Sequence, residues 1–381
     1  MGESPVSAVP TWREALRRVV PAFLVSRALL VAVGVAALRW WGVAADASAN
    51  YQARSSAIPA VEMWLRFDAS WYLAIATAGY TGAIPSSYDM RPGFFPMYPW
   101  LVAAVSATTG HVVASALLVS AVLCVVFLAA VWLLAAGDFG PRVASRAVWA
   151  IALFPSTYFI AAIYSEPAML AFVAVSLVAA RGGAWVLLPI ATAAATLSRT
   201  IGFLVLLPVA WELWRHPARI RTRLLAFVAA TAAAGAAFGL YLWLAQGWFG
   251  NPFHFVELQQ WYRGETAWPW RAFDAWLEAP AWHGYANSTL DAVVAVGWLA
   301  LAGLTAWKWN PALGAYCLAA VLIPLGTGLV STTRLVLAAF PCFVTLSLLL
   351  ERRGARVAWF LVSLALLVVL TARVATWRWV A

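Results

Sequence analysis

An aspartate and a tyrosine four residues apart, Asp68 and Tyr72, offer the first sign of chemistry in this sequence. At this spacing two side chains share one face of a helix. An apolar stripe lies beside them, formed by Phe67, Trp71, Ile75 and Ala78. The pattern predicts an amphipathic helix at a membrane surface, with Asp68 where apolar protein meets water. A carboxylate there is either a solvated surface group or a general base that faces a membrane cavity.

Arginines stand next to hydroxyl residues at the edges of two apolar runs. Arg199 follows Ser198, and Arg334 follows the Ser-Thr-Thr sequence at 331–333. Guanidinium and hydroxyl groups together can hold phosphate oxygens through paired hydrogen bonds. Each of these arginines, and Arg91 further upstream, is either a phosphate ligand or an arginine whose stem lies along lipid while its charge reaches water.

Glu166 stands in a turn between two apolar runs, next to Pro167. An acid in this position either caps the helix that begins there or takes part in chemistry. Transfer of a group from a lipid phosphate to a hydroxyl needs a base for the acceptor and positive charge for the departing phosphate. The sequence contains both kinds of group.

Membrane helices must position these side chains, because the composition excludes a soluble globule. Hydrophobic residues make up 64% of the 381 residues and charged residues only 10%, with a mean hydropathy of +0.82. We predict an all-α polytopic membrane protein. The cysteines Cys124, Cys317 and Cys342 lie inside apolar runs without metal-ligand spacing. The net charge of +10 is almost entirely due to arginine, which, with the heavy use of alanine, valine and leucine, indicates a GC-rich bacterial genome.

The apolar runs predict a bundle of about eleven transmembrane helices, each needing about 20 residues. The first extends from residue 21 to about 45, and the others lie near 111–136, 147–163, 165–180, 184–198, 201–214, 224–247, 289–307, 311–330, 334–350 and 355–372. The piece 94–108 is shorter, at about 15 residues, and has prolines at its start. We predict a second juxtamembrane helix there.

The basic residues predict the orientation of this bundle. If 94–108 does not cross the membrane, most of these basic residues fall on one side. The positive-inside rule makes that side cytoplasmic. The residues on that side are Arg13, Arg17, Arg18, Arg142, Arg146, Arg181, Arg215, Arg219, Arg221, Arg223, Lys308, Arg352, Arg353 and Arg356. The other side receives two long loops, 44–110 and 248–288, the second rich in tryptophan. We treat 1–381 as a single domain with its N-terminus inside and its C-terminus outside.

Several short blocks in order along the chain carry a resemblance to a known family. They are 67–76 (FDASWYLAIA), 79–80 (GY), 94–99 (FFPMYP), 154–156 (FPS), 164–166 (YSE), 198–199 (SR), 331–334 (STTR) and 340–341 (FP). In these blocks the sequence resembles the PIG-V type of GT-C glycosyltransferase, which includes GPI mannosyltransferase II and many bacterial relatives. The blocks extend over most of the chain.

This resemblance implies a GT-C fold and inverting transfer of mannose from a polyprenyl-phosphate-mannose donor. Asp68, on the first outer loop, would be the catalytic base, with Glu166 and Asp89 as candidates for a second acid. The donor phosphate would be bound by Arg334, Arg199 and Arg91. Candidates for substrate contact within the blocks are Trp71, Tyr72, Tyr98, Tyr164 and Ser165.

The partners implied are the lipid-linked donor, a glycolipid or glycoprotein acceptor and membrane lipids, without nucleic acid. The protein would lie in the bacterial cytoplasmic membrane with its active site on the extracytoplasmic face. No cofactor is predicted, although a divalent metal stays open, because one carboxylate among arginines does not define a metal site. The alternatives are a transporter or flippase for a lipid-linked sugar, which charges near the bilayer centre would favour, and a non-catalytic membrane scaffold.

Overall fold

The computed structural model describes residues 10–44, 56–82, 89–378 and 380, and every element within them is helical apart from one isolated bridge. The α-helices are α1 Trp12–Trp41, α2 Pro59–Glu62, α3 Ala69–Ala78, α4 Met97–Thr109, α5 Val112–Ala152, α6 Glu166–Gly182, α7 Leu187–Ser198, α8 Leu206–Arg215, α9 Ile220–Phe249, α10 His254–Arg263, α11 Asp274–Glu278, α12 Thr289–Lys308, α13 Pro311–Leu325, α14 Thr332–Leu335, α15 Pro341–Leu349 and α16 Arg353–Ala375. Short 3₁₀ turns lie at Arg91–Gly93, Thr157–Ile160, Thr200–Val205, Pro269–Phe273 and Val336–Ala339. The all-α prediction is confirmed for this part of the chain.

Within the described ranges, 5 helices are long and apolar enough to cross a membrane, namely α1, α5, α9, α12 and α16. The count rises to 6 if α14 and α15, between which the chain bends by 89°, form one crossing. Two shorter apolar helices are α7 and α13. The molecule is thus a membrane-type helical protein, and the predicted count of about eleven spans is not confirmed.

Three of the predicted spans are not single helices, and one of them, 201–214, is a 3₁₀ turn at Thr200–Val205 followed by α8. The run 147–163 contains the end of α5 and then a 3₁₀ turn, and α5 itself bends at Gly140, whose φ is +80°. The run 334–350 is divided at Pro341, which begins α15. Proline lacks a backbone N–H and disfavours helical geometry in the residue before it, so it starts helices more readily than it continues them. Continuous helix was the wrong prediction for all three runs.

The irregular chain at 153–165, between α5 and α6, has its carbonyls partnered by side chains from other helices. Arg27 in α1 donates to the Ile160 carbonyl at 3.2 Å, and Ser120 in α5 donates to the Ala162 carbonyl at 2.8 Å. Such partners are needed in a membrane protein because lipid offers none. The segment leads into the first turn of α6, at the same end of the bundle as α3.

The predicted outer loop 44–110 is described in part, and its two longer helices fold back onto the bundle. α4 has 13 residues, or about 20 Å, which is short of the roughly 30 Å of a hydrocarbon core and agrees with a juxtamembrane helix. α3 is exposed only at Thr77 and Ala78. It is therefore not the amphipathic surface helix that we predicted. Its polar face, with Asp68 and Tyr72, is turned toward protein.

α16 runs from one end of the bundle to the other, and different charged residues lie at the two ends. It has 23 residues and so extends about 35 Å, close to the thickness of a hydrocarbon core. At its C-terminal end the Ala375 carbonyl accepts a hydrogen bond from Arg66, two residues before Asp68. Near its start Arg356 shares a cleft with other arginines. The candidate base and the arginine-rich loops therefore lie at opposite ends of the bundle.

Candidate active site

A cavity of about 560 Å³ lies at the α3 end of the bundle, with Asp68 in its wall. Its lining comes from distant parts of the chain: the start of α3, the turn at 90–95, the ends of the helices around residues 165 and 198, α10 and α14. The charged residues of the lining are Asp68, Arg199, Arg263 and Arg334. The structure thus brings one carboxylate and three guanidinium groups to one cavity.

Asp68 begins a chain of alternating charges. Arg334 Nη1 lies 3.1 Å from Asp68 Oδ2, and Arg334 Nε lies 2.5 Å from Glu166 Oε1. Arg199 Nη1 lies 2.8 Å from the same Glu166 oxygen. Glu166 and Arg334 are buried, whereas the Asp68 side chain is 29% exposed. Asp68 is the acid that a molecule in the cavity can reach, and Glu166 balances the two arginines from behind.

Contacts on several sides hold the Arg334 guanidinium in place. It stacks over the rings of Phe159, at 4.7 Å, and Tyr164, at 4.6 Å. The backbone N–H of the preceding Thr333 donates to Asp291 Oδ1 at 2.6 Å. Stacking on aromatic faces and a fixed backbone both lower the entropy that an arginine loses when it binds an anion. Arg334 is therefore already positioned before any ligand enters.

Tyr72 carries a hydroxyl into the same wall. Its O–H donates to Ser165 Oγ at 2.7 Å, and Arg199 Nη1 reaches that oxygen at 3.5 Å. Burial raises the pKa of Tyr72 well above its usual range, and the negative charge of Glu166 raises it further. The phenol therefore stays protonated and acts as a hydrogen-bond donor. Trp71, Tyr72 and Ser165 all line the cavity, as the substrate-contact prediction requires.

Arg263, the last residue of α10, is a cavity residue that sequence reasoning did not select. Burial lowers the pKa of its guanidinium, and the positive charges of Arg199 and Arg334 lower it further, as expected for neighbouring cations. Its Nη1 lies 3.4 Å from the Val330 carbonyl. In the sequence, nothing distinguishes it from Arg271 in the same tryptophan-rich loop, so only the fold identifies it.

Arg91 and Asp89 do not reach the cavity, which corrects their assignment as phosphate ligand and second acid. They pair with each other, with Arg91 Nη2 2.7 Å from Asp89 Oδ2. The other end of the Arg91 guanidinium donates to the carbonyls of Gly79 at 3.1 Å and Gly82 at 2.7 Å. With its donors occupied by the protein, this arginine holds the loop after α3 together.

Tyr98 and Tyr164 also lie outside the cavity lining, which corrects the prediction that they contact substrate. Both are fully buried. The Tyr98 hydroxyl is hydrogen-bonded to Ser120 Oγ at 2.8 Å, and its ring meets that of Tyr72 edge-on at 5.2 Å. The Tyr164 hydroxyl donates to the Arg66 carbonyl at 3.0 Å. These two tyrosines support Tyr72 and Arg334 from behind.

Residues at the C-terminal end of α16 pack against the turn that contains Asp68. Phe67 has a φ of +50°, a conformation that costs a residue with a side chain about 1–3 kcal/mol and needs support. Its ring packs against Trp377 at 5.0 Å, and the Arg66 guanidinium lies 5.4 Å from the same indole. Arg66 Nε also donates to the Ala375 carbonyl at 2.7 Å. The chain around residues 375–377 therefore fixes the backbone just before Asp68.

In the part of the chain that the structure describes, no three histidine, cysteine, aspartate or glutamate side chains are grouped as metal ligands would be.

Comparison with known proteins finds similarity among solved structures. No family model matches the sequence, and no curated protein matches it. The oligosaccharyltransferase AglB from Archaeoglobus fulgidus, in complex with an inhibitory peptide and a dolichol-phosphate, is 12% identical with a TM-score of 0.46 over 93% of this chain and 56% of that one. Its apo form gives 12% and 0.48 over the same shares. The form with Zn and sulfate gives 13% and 0.45 over 94% of this chain and 53% of that one.

The chain thus spans little more than half the length of these structures. Likeness at this level leaves function to be argued from the site itself.

Proposed function

We propose that the protein is a PIG-V-type GT-C mannosyltransferase of the bacterial cytoplasmic membrane. It would transfer mannose from polyprenyl-phosphate-mannose to a hydroxyl of a glycolipid or glycoprotein on the extracytoplasmic face. The observation that carries this proposal is the 3.1 Å contact between Asp68 and Arg334 in a cavity that Arg199 and Arg263 also line. A carboxylate able to accept a proton stands beside guanidinium groups able to hold a phosphate.

The transfer would be a single displacement at the anomeric carbon. The acceptor oxygen forms a bond to that carbon, its proton passes to Asp68, and the bond from carbon to phosphate oxygen breaks with its electron pair on the phosphate. The configuration inverts because attack comes from the face opposite the phosphate. Negative charge moves from the carboxylate to the polyprenyl phosphate. Arg334, which contacts Asp68 at rest, is placed to stabilise that charge where it arrives.

The balance of charge supports a donor with one phosphate. The arginines Arg199, Arg263 and Arg334 exceed the acids Asp68 and Glu166 by one positive charge. A sugar phosphodiester carries one negative charge and would neutralise the site, whereas a diphosphate-linked donor carries two and would leave an excess. Unpaired charge in a partly buried cavity is costly.

The location of the site supports the extracytoplasmic face. Arg18, Arg142, Arg146 and Arg356 share a cleft at the other end of the bundle. The positive-inside rule assigns that end to the cytoplasm. The cavity with Asp68 would then open outside, where lipid-linked sugars are used as donors in place of nucleotide sugars.

The direct test uses purified protein in detergent with polyprenyl-phosphate-mannose labelled in the sugar. We expect the label to move from the lipid to a second product when a membrane extract supplies acceptors. A micelle has no second compartment, so a flippase would leave the label on the donor. A label that stays on the polyprenyl phosphate with every extract tried would refute the proposal. Donors linked through a diphosphate serve as the comparison and should transfer more slowly.

Arg263→Gln is expected to raise the KM for the donor about tenfold, because a charge-assisted hydrogen bond to phosphate contributes about 1.5–3 kcal/mol. The KM for the acceptor should change little. Arg271→Gln is the matched control, since Arg271 lies in the same loop with its side chain 65% exposed and paired with Asp274. Equal donor KM values for the two variants would remove Arg263 from the phosphate site.

Trp377→Ala is expected to lower kcat about tenfold with little change in either KM. Removing the indole frees Phe67 and shifts the Asp68 backbone, and misplacement of a catalytic group by an ångström costs up to about 10²-fold in rate. Steady-state kinetics on both substrates make the measurement, with Trp270→Ala as the control because Trp270 is 63% exposed. If Trp377→Ala lowers only the thermal stability and leaves kcat normal, the contacts of Trp377 with Phe67 and Arg66 serve the fold and not catalysis.

A further inference from the structure

A second cleft, with a volume of about 600 Å³, lies at the end of the bundle away from Asp68. Arginines from three helices line it, with one acid: Arg18, Arg142, Arg146, Arg356 and Glu351. The bend of α5 at Gly140 lies beside the cleft, two residues before Arg142. The proposed transfer reaction uses none of these residues.

Among the described residues, the contacts of Arg146 in this cleft are long or incomplete. Arg146 makes one long ion pair, 3.8 Å from a Glu351 side chain that is 66% exposed, and its Nε lies 3.5 Å from the Arg142 carbonyl. Its Nη1 is buried and has no hydrogen-bond partner among the described residues. A buried guanidinium nitrogen without an acceptor is costly, so an anion in the cleft would satisfy a group that the chain leaves open.

The neighbouring Arg181 shows how this chain balances an arginine that has no ligand to bind. Its guanidinium pairs with Asp138 at 2.9 Å and with Glu212 at 2.9 Å, and it also donates to the Leu134 carbonyl at 3.1 Å. Asp138 lies two residues before the bend of α5, so acids do occur close to the cleft. The cleft nevertheless holds four arginines against one acid.

Exposed apolar side chains lie on the two helices that supply Arg18 and Arg356 to the cleft. On α1, Leu16 and Val20 are 40% and 38% exposed, and on α16, Val357 and Leu361 are 49% and 63% exposed. Side chains of this kind at the end of a membrane helix lie against acyl chains. A ligand with a negative head group and hydrocarbon chains would match both the arginines and the surface beside them.

We propose that the cleft binds the head-group phosphate of an anionic phospholipid in the cytoplasmic leaflet. The head group would lie among the four arginines, with an oxygen accepting from Arg146 Nη1, and the acyl chains would run along α1 and α16. Basic pockets between membrane helices on the cytoplasmic side are suited to such lipids. The site is separate from the proposed sugar transfer, so the two can be tested independently.

The test is native mass spectrometry of the full chain in detergent, titrated with phosphatidylglycerol. We expect Arg142→Gln with Arg146→Gln to weaken phosphatidylglycerol binding about tenfold or more, since each basic residue near anionic lipid contributes about a factor of five. The matched control is Arg219→Gln with Arg221→Gln, which removes two exposed arginines from the same predicted side but outside the cleft. It should change binding by about twofold or less.

Two further measurements distinguish the head group of an anionic phospholipid from a neutral lipid and from inorganic phosphate. Phosphatidylcholine should bind about tenfold more weakly than phosphatidylglycerol, because it carries no net charge. Inorganic phosphate alone should not displace the lipid at millimolar concentration, because it lacks the chains. An equal loss of lipid binding in the control pair would show that diffuse positive charge, and not the cleft, attracts the lipid. Binding of phosphatidylcholine as tight as that of phosphatidylglycerol, or displacement of the lipid by inorganic phosphate, would also overturn the proposal. If the double variant does not fold, Arg142→Gln alone takes its place. Arg142 is exposed, and we expect this single substitution to weaken phosphatidylglycerol binding by a smaller factor.

Discussion

Asp68→Asn is expected to lower kcat for mannosyl transfer by about 10²–10⁴-fold, the usual contribution of a general base. Asparagine keeps the size of the side chain and one oxygen that can accept from Arg334, but it cannot take up the proton of the acceptor hydroxyl. Donor binding should persist, because Arg199, Arg263 and Arg334 remain and the site becomes more positive. The measurement is transfer of labelled mannose by purified protein, together with a donor titration.

The fold should survive this substitution. The Asp68 side chain is 29% exposed, and Arg334 retains its closer contact with Glu166. Asp274→Asn is a suitable control, because it removes an acid whose side chain is 48% exposed and which pairs with Arg271 in the outer loop. Wild-type turnover by the Asp68 variant would assign proton transfer to another group or to water.

The sequence predicts part of the candidate site because helical spacing is local. Asp68 and Tyr72, four residues apart, do face the same cavity. The hydroxyl-flanked arginines Arg199 and Arg334 also arrive there, as expected if they bind a common ligand. Their convergence on Glu166 depends on contacts that span 168 residues for Arg334 and 33 for Arg199, which neither spacing nor hydropathy reveals.

The predicted site residues that do not line the cavity show why a motif does not determine contact. Tyr98 and Tyr164 stand in blocks that resemble a family, yet both lie one layer behind the cavity, because a site needs supporting side chains as much as those that touch a ligand. Arg91 was treated like Arg334, but an acid two residues away takes up its charge. Arg263 was overlooked because its neighbours in sequence are typical of a membrane-interface loop.

The accuracy of the predicted helix boundaries was limited for a different physical reason. Hydropathy reports whether a segment prefers an apolar surrounding, and segments such as 153–165 and 334–350 satisfy that preference while buried inside protein and not against lipid. The break in 334–350 follows from proline at the start of α15, and a single residue weighs little in an average over 20 residues. The Arg27 contact with the Ile160 carbonyl then makes irregular backbone tolerable.

Arg334→Ala is expected to raise the Kd for the donor by about 10- to 100-fold, with a smaller effect on the acceptor. The lost contact is charge-assisted and worth about 1.5–3 kcal/mol. The variant should also be less stable, because Arg334 is buried against Glu166, and removing one partner of a buried pair costs about 3–5 kcal/mol. Donor titration and thermal unfolding of the same preparation measure the two effects.

A companion variant separates these two effects. Glu166→Gln combined with Arg334→Ala removes the unpaired buried carboxylate, so we expect it to recover much of the stability, since Arg199 keeps a neutral partner. It should not recover donor binding, because the guanidinium that would hold the phosphate is still absent. Recovery of both properties together would mean that Arg334 serves only to balance Glu166 and Asp68, and that the phosphate is held by Arg199 and Arg263 alone.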